Sequence, residues 1–465
     1  MTLFIEGFAE PLKGLGPEAR FIFEVLSANA VRSANDADGD GIEALAKQLR
    51  LSQKLVGKAL DVLARSGAVV QQKSEPKGKG RPAISYALSA DIVQTLRAQG
   101  SSYGIHAEHL ERLFSHADIE VSVPSLQTDI KKARAKLTKL GRPAPPGARK
   151  RLSAYNRLLF ASLLARADEC GVVSGLGGPE LRKLTGFDEA RLKHRLQRLM
   201  DLGLIRRYVP GLSSSIFAKS KVSSTYYLNL NHPGFQLKGE CTVMVHLAWN
   251  HGDKNHTHAD DLRSDVFQYD RKPAYSDQVT PITVIRFLAG QRRRVYPVIQ
   301  VMLYRYASFL LSRHWATLPD GYFEDISLYE MIKLDFRKPA LKVAGEDSPA
   351  EQDRCEVEWV EIIRYFYTLA YDIAQAFRSR YAQATFLRFD SVQMSLIPVA
   401  DDLGYRVITM VVRSPSKAAR EFIWLEEEKP GAVSLRPEKS ESEVDLRNRY
   451  DFGLLTRPKR EPGKK

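Results

Sequence analysis

Residues 42–70 read IEALAKQLRLSQKLVGKALDVLARSGAVV, and residues 178–206 read GPELRKLTGFDEARLKHRLQRLMDLGLIR. At a constant offset of 136 seven positions of the two stretches carry the same residue classes with no insertion or deletion. Leu45 meets Leu181, Leu51 meets Phe187, Val56 meets Leu192, Leu60 meets Leu196, Leu63 meets Leu199, Gly67 meets Gly203 and Val69 meets Ile205. Within the first copy, Ile42, Leu45, Ala46 and Leu49 recur at helical intervals, as do Val56, Ala59, Leu60 and Leu63. Ser52 stands between them as a natural N-cap. The spacing therefore predicts a helix, a short turn and a second helix. Gly67 and Gly203 fall where a helix needs a left-handed stop, and the β-branched residues after them (Val69 and Val70; Ile205) begin a strand.

Working outward, a returning strand is expected at Ser85 to Leu88 and at Thr225 to Leu228. Tyr86 to Tyr226 is an offset of 140, so the second hairpin is four residues longer. Phe21 to Leu26 and Leu158 to Leu163 supply a first packing helix upstream of each copy. Each unit then reads helix, helix, helix, strand, wing, strand. Leu45-Ala46, Leu51-Ser52, Ala59-Leu60, Leu63 and Gly67 resemble the core of the winged-helix family of bacterial regulators. The second copy departs from that pattern with Arg182 at a packing position and Thr185-Gly186 at the turn. The resemblance covers residues 17–97 and 154–230, roughly a third of the chain.

The resemblance implies that the second helix of each pair lies in the major groove of duplex DNA, reading base edges with its solvent face. In the first copy that face offers Gln53, Lys54, Lys58 and Asp61, with Gly57 permitting close backbone approach. In the second it offers Arg191, His194, Arg195 and Arg198 opposite Leu192, Leu196 and Leu199. The second copy is the more basic, so Arg195 and Arg198 are expected to contribute more than Lys54 and Lys58. The first wing carries Lys73, Lys77, Lys79 and Arg81 in a Gly-Lys-Gly-Arg-Pro setting, a shape suited to a narrow A·T minor groove. Gly-Arg-Pro recurs around Arg142, inside residues 131–151, which hold nine Lys or Arg and no Asp or Glu. A solvated charged face is the alternative for any such stripe.

Composition agrees with a polyanionic partner: 69 Lys and Arg against 55 Asp and Glu give a net charge of +14 and a pI near 9.5. No signal peptide is read at the amino terminus, and three widely spaced cysteines form no disulfide framework, so a cytoplasmic location is expected. The apolar run Tyr296 to Trp315 is interrupted by Gln300, Arg305 and Arg313, which suits a buried helix better than a membrane span.

After Phe235 the pattern changes to long helices at Tyr296 to Arg313 and Glu356 to Tyr381, the latter wide enough in its apolar face to be buried or to make a homodimer. Strands are expected at Thr385 to Val399, Tyr405 to Val412 and Glu421 to Glu426. His246, His251, His256 and His258 lie within 13 residues, with Cys241 before them and Asp260-Asp261 after. These are ligand types for zinc, yet the spacing fits no zinc motif and solvated loop histidines are the plainer reading. No phosphate loop of the GxxxxGK[ST] type occurs, and neither a catalytic site nor a cofactor is expected. Arg292-Arg293-Arg294 reads equally as a phosphate-facing edge or a helix start.

The expected fold is helix-rich α+β, with two winged helix-turn-helix domains followed by a larger α+β carboxy-terminal domain. The boundaries read as an arm at 1–16, winged-helix domains at 17–100 and 153–232, a helical basic linker at 101–152, the carboxy-terminal domain at 233–428 and a disordered charged tail at 429–465. Tandem winged helices in one chain resemble the iteron-binding replication initiators of plasmids. The general organisation resembles replication proteins of bacterial integrative elements and pathogenicity islands. The expected function is sequence-specific binding of double-stranded DNA in replication of a mobile element, with replication proteins as partners and no membrane association. The alternatives are a transcription regulator whose carboxy-terminal domain dimerises or senses a ligand and, more weakly, a metal-dependent nuclease using the histidine segment.

Overall fold

The computed structural model describes residues 12–32, 40–73, 84–98, 104–115, 119–121, 151–248, 257–271, 280–339, 349–381, 391–398, 406–416, 420–429, 432–436 and 440–457. It is mixed α+β and helix-rich, and it divides into two compact units. The first comprises the described parts of Met1–Arg206, Leu228–Leu237 and Thr456–Lys465; the second comprises those of Arg207–Tyr227 and Lys238–Leu455.

The first unit begins with α1 (Pro17–Arg32), β1 (Asp40–Gly41), α2 (Ile42–Leu49), α3 (Gln53–Arg65), β2 (Val69–Lys73) and β3 (Ile84–Leu88). Two further helices follow, α4 (Ala90–Ala98) and α5 (Ala107–Ser115). The pattern then repeats with α6 (Ala154–Leu164), β4 (Val172–Val173), α7 (Gly178–Thr185), α8 (Glu189–Asp201) and β5 (Ile205–Val209). The second hairpin runs through β6 (Leu212–Ser213) and β7 (Lys221–Val222) to β8 (Thr225–Leu228). The offset of 136 seen in the sequence carries α2 onto α7, α3 onto α8 and β2 onto β5, residue for residue at both ends. Corresponding sheets have corresponding orders, β1-β3-β2 and β4-β8-β5.

Local chemistry explains the agreement. The Ser52 side chain accepts from the amide of Leu55 at 3.2 Å, and its counterpart Asp188 accepts from the amide of Arg191 at 2.8 Å, each satisfying an orphan donor of the following helix. The turn before that helix uses a left-handed residue in both copies, Arg50 at φ 49° and Gly186 at φ 72°. Leu45, Val56, Leu63 and Val69 in the first copy, and Leu181, Leu192, Leu199 and Ile205 in the second, are all buried; Leu196 is only half-buried.

The two copies are not separate domains on a linker, as the sequence reading has them. They share one core, in which α1 and α6 are each buried on nearly every side, polar residues such as Glu24 and Arg157 included. Phe21, Ile22, Phe23 and Val25 of α1 are fully buried, as are Leu158, Leu159, Phe160 and Leu163 of α6. The α1 helix packs on α3, α4, α5 and α6. Arg157 of α6 sits 4.9 Å from the Phe21 ring centre and donates through Nε to the Leu113 carbonyl of α5 at 2.5 Å. Burial brings its guanidinium down to about 10. Within the expected linker 101–152, α5 and the bridge between Glu120 and Arg151 are described; residues 122–150 lie outside the described residues.

The second unit is a five-stranded sheet covered by helices. Its strands are β9 (Thr242–Ala248), then β10 (Gln393–Ile397), β11 (Arg406–Arg413), β12 (Phe422–Lys429) and β13 (Ala432–Arg436), in the order β10-β11-β9-β12-β13. All neighbours are antiparallel except β9 and β12, which are parallel with Val245 opposite Trp424. Its helices are α9 (His258–Arg271), α10 (Ile282–Leu288), α11 (Val295–His314), α12 (Ile326–Asp335), α13 (Pro349–Tyr381) and α14 (Leu446–Asp451). The long helices α11 and α13 pack together through residues such as Leu303, Tyr306, Phe366 and Ala370, all fully buried. Residues of the second hairpin belong to this unit. Ala218 donates its amide to the Asp335 carbonyl at 2.9 Å, Arg337 donates to Ile216 at 2.7 Å, and the Phe217 and Phe336 rings stack at 6.0 Å.

Two expectations for this half need correction, and a third falls partly outside the described residues. The expected tail 429–465 contains β13 and α14, and Val444, Phe452 and Leu454 are buried: sparse apolar residues in a charged segment suffice when each finds a place on the core. The expected strand at Thr385 to Val399 is described only over Gln393–Ile397. The segment around His246, expected as loop, is β9, the central strand, where Val243, Met244 and Val245 are buried between neighbours on both sides. Among the described residues no helix is long and apolar enough to cross a membrane.

Candidate nucleic-acid interface

Helix α3 buries Val56, Ala59, Leu60 and Leu63 and turns Gln53, Lys54, Lys58 and Asp61 to solvent, as the periodicity requires. Gly57 lies on the half-exposed flank between Lys54 and Lys58. A Cβ built there would meet only Ile42 Cδ1, at an ordinary 3.6 Å, so packing alone does not demand glycine. Lys73 is exposed at the end of β2, where the first hairpin leaves the sheet. Lys77, Lys79 and Arg81 of the first wing, and Arg142, lie outside the described residues.

The second helix presents its cations differently. Carrying the offset of 136 onto α8 brings Lys54 to Ala190, Gly57 to Lys193, Lys58 to His194 and Asp61 to Gln197. The face equivalent to that of α3 thus holds Lys193 and His194, both exposed. Arg191, Arg195 and Arg198 instead stand at the positions of Leu55, Ala59 and Val62. Arg191 is exposed and lies 3.5 Å from Asp188, the N-cap of its own helix. Arg195 and Arg198 are half-buried. The Arg195 guanidinium lies 5.0 Å from the ring centre of Tyr155, and burial lowers its pKa. The Tyr155 hydroxyl donates to Glu18 of α1 at 2.5 Å; burial, then the Glu18 carboxylate, push it up to about 12. Arg195 therefore packs on a ring of its own copy whose hydroxyl reaches across to the first. Lys193 was missed in the sequence because only the cationic stripe was read; applying the offset to Gly57 finds it.

The turn between α7 and α8 is held from the first copy. Arg20 of α1 donates to the carbonyls of Lys183 (2.9 Å) and Leu184 (3.1 Å) at the end of α7, and also to Leu12 and Leu15, both at 2.9 Å. One guanidinium thus satisfies the last carbonyls of a helix that a Cβ at Gly186 would disturb, since that atom would come 2.6 Å from the Leu15 oxygen.

The histidine segment is not gathered into one place. His246 is buried in β9 with its ring against Tyr381 at 5.6 Å, Cys241 is buried just before that strand, and His258 begins α9. Asp260 accepts from the amide and hydroxyl of Thr257, and Asp261 is exposed. His251 and His256 lie outside the described residues. Among the described residues no three His, Cys, Asp or Glu side chains are placed to hold a metal ion. Arg292, Arg293 and Arg294 are exposed in the turn that leads into α11.

No protein-family model, curated protein or solved structure matches this chain.

Proposed function

We propose that the two copies are winged helix-turn-helix units and that the protein binds double-stranded DNA through them, in replication initiation or maintenance of a bacterial mobile element. The observation that carries this reading is the pair α3 and α8: equal length, equivalent N-caps at Ser52 and Asp188, burial of Val56 and Leu63 matched by Leu192 and Leu199, and a cationic solvent face on each. Duplex DNA rewards cations held on a rigid helix, because phosphate contacts position the protein while polar side chains read base edges. Lys54, Lys58 and Gln53 would act in one groove, and Lys193, His194 and Arg191 in another. Since both helices belong to one compact unit, the two half-sites should have a fixed spacing. A spacer changed by about 5 bp, half a helical turn, should abolish simultaneous engagement.

Titration of labelled duplex with the full chain tests the reading. Binding at low ionic strength that weakens steeply with salt is the expected result; indifference to duplex under those conditions would remove the proposal. Mapping bound sites across a host genome separates the uses: iterated repeats in an A·T-rich origin favour replication, and a single palindrome over a promoter favours repression. The regulator reading draws support from the cavity in the second unit, described next.

A further inference from the structure

A cavity of about 370 Å³ lies in the second unit, lined by β5 and β6 neighbours Arg207 to Pro210 and by residues of α9, α11, α13 and β11. That volume suits a small organic ligand and greatly exceeds a single phosphate ion. Gln300 of α11 is at its wall and only 5% exposed. Its Oε1 accepts from the Ala259 amide at 3.1 Å, while its Nε2 is buried with no hydrogen-bond partner among the described residues. Arg207 Nε, also at the wall, is likewise buried and unpartnered. Buried donors in folded proteins are nearly always paired, so two at one cavity point to an acceptor that enters it.

The charges narrow the class. Arg263 is compensated by Asp260 at 3.6 Å, and Asp260 also accepts from Thr257. Arg207 and Arg293 have no carboxylate partner among the described residues, and with Gln300 they offer guanidinium and amide N–H groups to an anion. Asp372 supplies one carboxyl to a hydroxyl or N–H donor; burial raises its pKa and His258 opposes that. Tyr208, Tyr296 and Phe377 add aromatic surface on which a flat ring can lie. An anionic group, a hydrogen-bond donor and a flat apolar body in one small molecule describe a nucleotide.

We propose that this cavity binds a mononucleotide, its phosphate toward Arg207 and Arg293 and its sugar or base toward Asp372 and the aromatic walls. The proposal does not depend on duplex recognition and is tested without DNA. Calorimetric titration of the full-length protein with each of the four ribonucleoside monophosphates, with the matching nucleosides and with inorganic phosphate is the experiment. At least one monophosphate should bind, more than tenfold tighter than its nucleoside or phosphate alone. Arg293→Ala, at an exposed side chain that the fold does not need, should weaken it at least tenfold. Gln300→Glu, which keeps the oxygen that accepts from the Ala259 amide and replaces the unpaired donor with an acceptor, should weaken it. No binding of any monophosphate at about 1 mM would overturn the proposal. So would equal binding of phosphate alone, or affinity unchanged in both variants.

Discussion

Substituting Gly57→Ala should make α3 more stable and DNA binding weaker, and the opposite signs make it a sharp test. Gly57 lies in the interior of α3, with helical backbone on both sides. Glycine there costs about 0.8–1.0 kcal/mol relative to alanine, from the greater freedom of the unfolded chain. The new methyl meets only Ile42 Cδ1 at 3.6 Å, a contact worth about 0.1–0.2 kcal/mol and not a clash. The net expectation is about 1 kcal/mol of stabilisation, which slows local opening about fivefold. Native-state hydrogen exchange of the α3 amides reads this directly and avoids assuming that the whole chain unfolds in one step. Because Gly57 sits between Lys54 and Lys58, a methyl there should hold the helix away from a groove floor. Duplex affinity should fall about tenfold, near 1.4 kcal/mol. Faster exchange would refute the packing argument. Slower exchange with undiminished duplex affinity would show that this face of α3 does not approach DNA.

The double substitution Lys54→Ala and Lys58→Ala should lower the log-log salt slope of duplex binding by about 1.8, two contacts at about 0.9 each. Arg195→Ala with Arg198→Ala should change the slope less, since both side chains are half-buried in α8; a larger change would restore the sequence-based ranking. Arg20→Ala removes donors from four carbonyls and should cost about 2–3 kcal/mol in urea unfolding, discounted for water reaching the half-exposed site. Arg20→Lys should recover little, because one ammonium cannot span those acceptors; full rescue would contradict the geometry. Tyr155 titrates higher in the folded chain, at about 12, than at its ordinary value of 10.0. Its protonated form is therefore the one the fold favours. That stability is complete below pH 10, lost as pH rises through about 12, and should vanish from the difference between wild type and Tyr155→Phe over that window.

Much of the fold was legible because helix and turn chemistry is local. The constant offset, the N-cap position of Ser52 and the left-handed stops at Gly67 and Gly203 all appear in α2 to β2 and α7 to β5, with φ of 78° and 74° at the two glycines. The long helices α11 and α13 were likewise readable from their apolar runs. Part of the candidate interface was readable too: Gln53, Lys54 and Lys58 face solvent opposite a buried stripe. Arg195 was not, since a cation beside an aromatic ring from another helix looks in sequence like any exposed cation.

Local patterns in the sequence thus determined that the chain repeats a helix-turn-helix and hairpin, and which sides of those helices are apolar. Tertiary structure alone decided that the repeats share a core and that the hairpin of the second copy packs at the end of α12 in the carboxy-terminal unit. It also brought Arg207, Gln300 and Asp372 to one cavity. The reason is physical: capping and periodicity act between residues three or four apart, whereas burial of α1 on all sides, or the meeting of residues 207, 300 and 372, depends on segments far apart in the chain.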